Sequence, residues 1–130
     1  MQNKRAAALS RVAVGKLGEA AARVHIESLA WRIRDLNWRC RSGELDIVAE
    51  PPEEGSPLVF IEVRSRREGS RFGTAAESVD ARKQLQLRST AQVYLYGKRL
   101  QERRVRFDVI TVLMDRDCQV IDIRHYEEAF

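Results

Sequence analysis

The chain has 130 residues, of which 44% are hydrophobic and 32% are charged. This composition indicates a folded protein rather than a disordered one, and the length suits a single hydrophobic core. No apolar run approaches the roughly 20 residues that cross a bilayer. We therefore expect a cytoplasmic protein without membrane partners, with a mobile N-terminus over residues 1–9 and one domain over residues 10–130.

The net charge of +4 conceals a strong segregation of charge along the chain. Residues 44–62 carry a net charge of −6, whereas residues 1–43 carry +6 and residues 64–106 carry +8. Of the 23 cations, 19 are arginine, whose planar guanidinium binds phosphate oxygens in pairs. An acidic centre between arginine-rich flanks suits a polyanion held over a metal site. A basic surface that is merely solvated explains the same charges equally well.

The first half of the chain is predicted to form one helix and three strands. Ser10 is a suitable N-cap for a helix over residues 10–29, where apolar residues recur at helical spacing. Alternating or continuous apolar residues, separated by turn-forming residues, then predict strands over residues 31–40, 44–50 and 58–64. The continuous apolar character of the third strand indicates a central position in the sheet.

The second half is predicted to form a charged loop, a helix and two strands. The loop covers residues 65–73, the helix runs from about Thr74 or Ser78 to Tyr96 and is ended by Gly97, and strands cover residues 104–114 and 118–124. The order is α-β-β-β-α-β-β. We expect an α/β fold in which the helices pack against one mixed sheet.

Cysteine and histidine residues offer no recognisable metal motif. Cys40 and Cys118 do not form a CxxC pair, and free thiols in a reducing compartment are the favoured interpretation. His25 and His125 are isolated in the sequence, which favours a structural or surface role for each.

Two acids interrupt apolar strands, and they are the residues most indicative of chemistry. Asp46 lies in the second predicted strand and Glu62 in the third. Burying a carboxylate costs several kcal/mol unless a partner offsets the cost, and two carboxylates on neighbouring strands can share a divalent cation. Mg²⁺ takes a few hard oxygen ligands from a protein and the rest from water and phosphate. The backbone carbonyl of Val63 is a further candidate ligand.

Neighbouring residues extend this candidate site. Strand alternation places Arg64 on the side of Glu62, within reach of a scissile phosphate. Glu44 shares a face with Asp46 by the same argument, and a solvated turn residue is the favoured interpretation of it over a third ligand. Glu19 follows Gly18 in the first helix, where a small residue permits close approach, although most glutamates are simply exposed.

Each acid also has an ordinary structural explanation. Asp46 alone is explained as a turn cap, and Glu62 alone as the partner of an arginine such as Arg39 or Arg106. The combined Asp…Glu-x-Arg spacing favours the functional interpretation.

Several motifs in order resemble the bacterial YraN family over about residues 10 to 130. The matching segments are Gly15-x-x-Gly18-Glu19, Asn37-Trp38-Arg39, Gly43-Glu44-Leu45-Asp46-Ile47-Val48, Val59-Phe60-Ile61-Glu62-Val63-Arg64, Phe72-Gly73 and Arg106-Phe107-Asp108-Val109. The resemblance implies a restriction-endonuclease-like (tRNA-endonuclease-like) core, similar to archaeal Holliday-junction resolvases. It implies a metal-dependent endonuclease acting on phosphodiester bonds, with branched DNA as a candidate substrate.

The catalytic residues that the resemblance implies are Glu19, Asp46, Glu62 and Arg64. Asp46 and Glu62 would hold Mg²⁺ or Mn²⁺, which activates the attacking water, and Glu19 would orient that water or complete a second metal site. The family pattern has lysine where this chain has Arg64. An arginine can stabilise charge developing at phosphorus, but it stays protonated and cannot accept a proton.

Further basic residues are expected to contact nucleic acid. Arg82 or Lys83, at the start of the second helix, would hold a flanking phosphate, and the loop after the site would steer the backbone electrostatically. The expected contacts are Arg39, Ser65, Arg66, Arg67, Arg71, Arg82 and Lys83. The resemblance favours DNA over RNA, which the residues themselves leave open. Resolvase-like enzymes often act as dimers, and the aromatic residues Trp31, Trp38, Tyr94 and Tyr96 suit an interface or the core.

Two other functions compete with the nuclease. A nucleic-acid-binding protein with little or no cleavage is favoured by Arg64, and it predicts affinity that falls with salt but no product. A protein-interaction module, in which the acids pair with arginines, predicts no metal binding and an affinity insensitive to salt.

Overall fold

The computed structural model describes residues 10–69 and 79–130, within which two helices and five strands follow the expected order. The helices are α1 (Arg11–Ser28) and α2 (Ala81–Gly97). The strands are β1 (Arg32–Cys40), β2 (Gly43–Glu50), β3 (Leu58–Arg67), β4 (Val105–Met114) and β5 (Val120–Tyr126). The predicted α-β-β-β-α-β-β order is confirmed. The predicted mobile segment, residues 1–9, lies outside the described residues.

The five strands form one sheet in chain order, β1-β2-β3-β4-β5. β3 and β4 are parallel, and the other neighbouring pairs are antiparallel. The sheet is therefore mixed, and β3 is its central strand, as predicted. The parallel pair requires a crossover connection, which α2 supplies.

The two helices cover opposite faces of the sheet, and each face has its own apolar cluster. On the α2 face, Tyr94 and Leu95 pack with Phe60 and Phe107 of the sheet. On the α1 face, Ala22 and Ile26 pack with a second set of strand residues, which are Ile47, Ala49, Val59, Ile61, Ile110, Val112 and Met114. Burial on both faces explains why β3 is a continuous apolar run.

Both helices begin at a side-chain cap. The Ser10 hydroxyl accepts a hydrogen bond from the Ala13 N–H at 3.1 Å, as the sequence indicated. In α2 the cap is Asp80, whose carboxylate accepts from the Lys83 N–H at 2.9 Å. The starting residues predicted for this helix, Thr74 and Ser78, lie outside the described residues. Asp80 was missed because several capping-type residues occur close together there.

A glycine lets α1 lie directly on β3. A Cβ built on Gly18 would lie 1.6 Å from the Ser65 Oγ, so no larger residue fits without movement. The next residue in α1 is Glu19. The close approach therefore holds a predicted site residue next to the strands that carry the other acids.

β3 extends further than predicted, which corrects the assignment of residues 65–67 to a loop. Arg66 pairs with Leu113 and Arg67 pairs with Met114 in the parallel register of β3 and β4. Polar side chains favoured a loop in the sequence, but pairing with β4 satisfies the backbone and keeps these residues extended. Arg71 lies outside the described residues. Neither described helix is long and apolar enough to cross a membrane.

Candidate metal and nucleic-acid site

Asp46 and Glu62 occupy opposing positions on β2 and β3 at the point where the two strands stop pairing. The antiparallel register runs through Ile47 opposite Ile61, and the next opposing positions are Asp46 and Glu62. Instead of a backbone carbonyl, the Asp46 Oδ2 accepts a 2.8 Å hydrogen bond from the Val63 N–H. The expectation that the two acids lie on neighbouring antiparallel strands is confirmed.

Asp46 is a carboxyl group in an environment that disfavours its charge. Burial, and next the charge of Glu62, raise its pKa to about 8, although the Val63 N–H acts in the opposite direction. The two side chains are close enough for Asp46, when protonated, to share a hydrogen bond with Glu62. Repulsion between the two carboxylates therefore destabilises the doubly charged pair, and a bound proton or cation would relieve that repulsion.

Glu62 is buried, with 7% of its side chain exposed, and two cations accompany it. The Arg64 Nη2 lies 3.2 Å from its Oε2, and the Lys83 Nζ lies 3.7 Å from the same oxygen. The ordinary explanation of Glu62 as the partner of an arginine is therefore met by Arg64, whereas the two arginines suggested by the sequence, Arg39 and Arg106, pair elsewhere. Arg39 meets Glu44 at 3.4 Å, and Arg106 meets Asp108 at 2.9 Å.

Arg64 lies on the side of Glu62, as strand alternation indicated. Its Nε is buried and has no hydrogen-bond partner among residues 10–69 and 79–130. A buried donor without a partner costs about 1–3 kcal/mol, whereas the 27% of the Arg64 side chain that is exposed could contact a phosphate oxygen. The geometry is thus compatible with the expected role of Arg64 at a scissile phosphate.

The regular alternation of side chains fails at the site. Leu36 packs into the α1-face cluster and Trp38 into the α2-face cluster, although residues two apart in a strand normally share a face. Asn37 between them has a φ of 50°, a left-handed conformation that asparagine adopts more readily than most residues. The same reversal occurs opposite, where Leu45 joins the α2-face cluster and Ile47 the α1-face cluster.

Asn37 joins two outer acids that the sequence had treated separately. With its amide nitrogen facing them, it donates to the Glu19 Oε1 at 2.9 Å and to the Glu44 Oε1 at 3.3 Å. Burial, followed by the charges of Asp46 and Glu44, raises the pKa of Glu19. Glu19 is therefore near Asp46, and Glu44 is more than a solvated turn residue. Asn37 had no predicted role, although it stands in a quoted motif.

The remaining predicted nucleic-acid contacts differ in position. Arg39 is largely exposed, at 76% of its side chain, and Arg82 is exposed on the first turn of α2. Arg66 and Arg67 are half-buried on β3 rather than on a loop, and both make interactions within the protein. Lys83, in contrast, forms an ion pair with Glu62 at 3.7 Å.

A divalent cation at this site would have two protein carboxylates. Among the described residues, no group of three or more His, Cys, Asp or Glu side chains is arranged to hold a metal ion. Two carboxylates still fit Mg²⁺, which dehydrates reluctantly and commonly binds one or two protein carboxylates, with water and phosphate as further ligands. The raised pKa of Asp46 is the observation that supports this fit, because a cation would replace the proton that the pair otherwise holds.

A second buried acid in the same sheet, Asp108, has partners that offset its negative charge. Asp108 is completely buried, and Arg106 contacts its two oxygens at 2.9 Å each. The His125 Nε2 lies 2.8 Å from the carboxylate, and the Glu128 N–H donates to it at 3.1 Å. Burial raises the pKa of Asp108, but His125, Arg106 and the Glu128 N–H outweigh it, so the net shift is downward. The charge of Asp108 is thus compensated by its neighbours, whereas the charge of Asp46 is disfavoured.

The histidines predicted to be isolated are neighbours in the fold. The His25 Nε2 lies 3.3 Å from the His125 Nδ1, which links α1 to β5 and extends the Asp108 network. Burial and the neighbouring His125 lower the pKa of His25. The favoured structural role fits this arrangement, and both cysteines are free thiols.

The aromatic residues considered for an interface are mostly part of the core. Tyr94 is fully buried and donates from its hydroxyl to Asp35 at 2.6 Å. Trp31 and Trp38 are half-buried against the two apolar clusters. Tyr96 differs, because 75% of it is exposed.

A mixed five-stranded sheet between two helices, with paired acids on adjacent strands, is the arrangement expected of a restriction-endonuclease-like α/β domain. The model of "Uncharacterised protein family UPF0102" matches residues 18–112. The chain belongs to this family, the YraN family.

Similar proteins come from several bacteria and cover nearly the whole chain. A UPF0102 protein of Moorella thermoacetica is 46% identical over 89% of this chain and 93% of its own length. A UPF0102 protein of Pelotomaculum thermopropionicum is 43% identical over 93% of this chain and 98% of its own length. A UPF0102 protein of Myxococcus xanthus is 39% identical over 98% of this chain and 96% of its own length. These names establish the family and carry no activity.

Proposed function

We propose that this protein is a metal-dependent endonuclease that hydrolyses phosphodiester bonds of nucleic acid. The observation that carries the proposal is the Asp46–Glu62 pair, in which one carboxyl group has a pKa raised to about 8 beside a second acid. Shifts of this size cluster at functional sites. By contrast, Asp108 in the same sheet has Arg106, His125 and the Glu128 N–H as partners, and its pKa is lowered.

Each residue of the site has a distinct task in this proposal. Asp46 and Glu62 would hold Mg²⁺ or Mn²⁺, which would supply the acidity needed to activate water. Glu19 accepts a hydrogen bond from that water, and Arg64 donates to a non-bridging phosphate oxygen. The water oxygen forms a bond to phosphorus, one ester bond breaks, and a water proton passes by way of solvent to the departing oxygen.

The substrate class follows from charge. The arginine-rich segments that flank the acidic residues 44–62 would attract a polyanion. Two exposed cations, Arg39 on β1 and Arg82 in the first turn of α2, belong to these segments. DNA is the proposed partner, with branched DNA as the first candidate on the resemblance to resolvases. A homodimer would place two such sites on one substrate.

A nucleic-acid-binding protein without efficient cleavage is the second candidate, and Arg64 is the observation that favours it. Arg64 stands where the resemblance places a lysine, and its guanidinium already contacts Glu62 at 3.2 Å. Such a protein would retain substrate binding and its steep dependence on salt.

Cleavage of a labelled panel in Mn²⁺ tests the proposal. The panel holds linear duplex, single-stranded, flapped and four-way DNA together with structured RNA. Wild-type protein is compared with Asp46→Asn, with Glu62→Gln, and with Glu54→Gln as a control that removes one exposed acid. Binding is followed in parallel by gel retardation at two salt concentrations.

The outcomes separate the candidate functions. The proposal expects product with wild type and Glu54→Gln, and a loss of at least about 100-fold with either site variant. Retarded but uncut substrate with every protein would support the binding protein. Neither retardation nor product would contradict both and favour the protein-interaction module.

A further inference from the structure

Lys83 lies in the site itself rather than beside it. The residue belongs to the first turn of α2, and the Asp80 cap fixes its backbone N–H at 2.9 Å. From there its side chain reaches Glu62, where Nζ lies 3.7 Å from Oε2. The side chain is 34% exposed, so the ammonium has the buried acid on one side and solvent on the other.

The two cations at Glu62 differ in what they can still contact. Arg64 lies closer, at 3.2 Å, and its shape fixes the direction of its donors. The 3.7 Å separation of Lys83 is an ion-pair distance, longer than an ordinary N–H···O hydrogen bond. A lysine ammonium has three rotatable donors, so Lys83 retains donors for a third group.

We infer that Lys83 is a catalytic residue that contacts the attacking water, while Arg64 serves the phosphate. This inference rests on the proposed function, and it identifies the cationic side chain that contacts the attacking water. Lys83 donates to the water oxygen and stabilises the negative charge that develops there as the bond to phosphorus forms. A lysine from α2 thereby takes the task that Arg64 on β3 is poorly shaped to perform. The flanking phosphate expected at Lys83 falls instead to Arg82.

The neighbouring Arg82 provides a matched control. It carries the same charge one residue earlier in α2, but its side chain is exposed. Lys83→Met preserves the aliphatic part of the side chain and removes the charge, and Arg82→Met makes the same change at the preceding residue. Circular dichroism and thermal unfolding establish that both variants are folded, and Lys83→Gln serves as a second neutral variant.

Single-turnover cleavage separates the two roles. We expect Lys83→Met and Lys83→Gln to lower the rate at saturating protein by about 100-fold with less than about threefold change in substrate affinity. Arg82→Met is expected to weaken affinity and to lower its salt dependence, and to lower the saturated rate much less than Lys83→Met does. If both variants lowered only the substrate affinity, and by the same factor, the inference would be overturned and Lys83 would instead be assigned to a flanking phosphate.

A second readout does not depend on cleavage. Removing the Lys83 charge takes a fixed cation from Glu62, so the affinity of the DNA-free protein for Mn²⁺ should rise about threefold or more in Lys83→Met. Arg82→Met should change it less. Equal Mn²⁺ affinity in all three proteins would contradict the placement of Lys83. A wild type that binds Mn²⁺ but cuts no substrate overturns the proposed function and the catalytic role of Lys83 together, whereas cleavage unaffected by Lys83→Met overturns the inference alone.

Discussion

The Val63 N–H donates a 2.8 Å hydrogen bond to the Asp46 Oδ2, at the point where β2 and β3 stop pairing. A side-chain carboxylate thus takes the place of a backbone acceptor in the sheet. This bond fixes Asp46 beside Glu62 without neutralising either acid. The site therefore depends on the end of backbone pairing between β2 and β3. The free-energy cost of charging Asp46 beside Glu62 is the basis of the first two predictions.

Asp46→Asn should stabilise the protein at alkaline pH. The folded-state pKa of Asp46 is raised to about 8, so the folded protein binds a proton that the unfolded chain releases near pH 4. Wild-type stability consequently falls by several kcal/mol as pH rises from about 4 to about 8. Asparagine retains an acceptor for the Val63 N–H and has no charge to lose. Urea unfolding at pH 4.5 and pH 8.5 measures the difference, with Glu54→Gln as the control. An equal effect of Asp46→Asn at both pH values would be inconsistent with the raised pKa.

Mn²⁺ should stabilise the wild type at pH 8. A ligand that binds only the folded state raises stability by about 2.7 kcal/mol at 100 times its dissociation constant. Asp46→Asn and Glu62→Gln each remove one of the two carboxylates, so both should lose most of the rise in thermal midpoint. Differential scanning fluorimetry with and without Mn²⁺ makes the comparison. Stabilisation of both variants equal to that of wild type would place the cation elsewhere.

Gly18→Ala should be far more costly than Gly15→Ala in the same helix. A Cβ at Gly18 would lie 1.6 Å from the Ser65 Oγ, whereas one at Gly15 meets nothing within 4 Å. We expect a loss of at least about 2 kcal/mol for the first and a gain of roughly 0.5 kcal/mol for the second. Chemical unfolding measures both, and Ser65→Gly should rescue Gly18→Ala. A failure of that rescue would show that the helix contacts β3 differently.

Asp108→Asn should destabilise the protein strongly, with a pH dependence opposite to that of Asp46. The pKa of Asp108 is lowered, so its contribution is present above the unfolded-state pKa and is lost as pH falls through the folded-state value. Breaking a buried pair costs about 3–5 kcal/mol. The control is Asp122→Asn, because Asp122 pairs with Arg124 at 3.0 Å with the same two-residue spacing but in an exposed position. Similar losses for the two variants at pH 7 would argue against the buried network.

Asn37→Gly should disturb Glu19 without straining the backbone. Glycine tolerates the φ of 50° at this position but removes the amide that donates to Glu19 and Glu44. The pKa of Glu19 should therefore rise further, which carboxyl NMR titration would detect. Asn37→Ala should show the same titration and an added stability loss of about 1 kcal/mol. An unchanged Glu19 titration in Asn37→Gly would contradict the bridging role.

The order of elements and the opposition of Asp46 and Glu62 were predictable because they depend on local signals. Apolar runs, turn residues and an antiparallel connection of short length are enough to place two acids on neighbouring strands. The role of Arg64 beside Glu62 followed from alternation with a period of two.

Features that depend on distant contacts were not predictable. Alternation fails at Asn37 because of one left-handed residue, so Glu44 and Glu19 were not recognised as neighbours of one amide. Lys83 reaches Glu62 only because the crossover helix begins beside the site, and residues 65–67 remain extended only because β4 pairs with them. His25 and His125 meet across 100 residues of sequence.

The central claim is tested most directly by single-turnover cleavage of four-way DNA in Mn²⁺ with wild-type and Asp46→Asn protein at matched occupancy. The account predicts product from the wild type, with bound but intact DNA in the variant. Bound and intact DNA in both, with Mn²⁺ bound to the wild type, would contradict it and leave a protein that binds nucleic acid without cutting it.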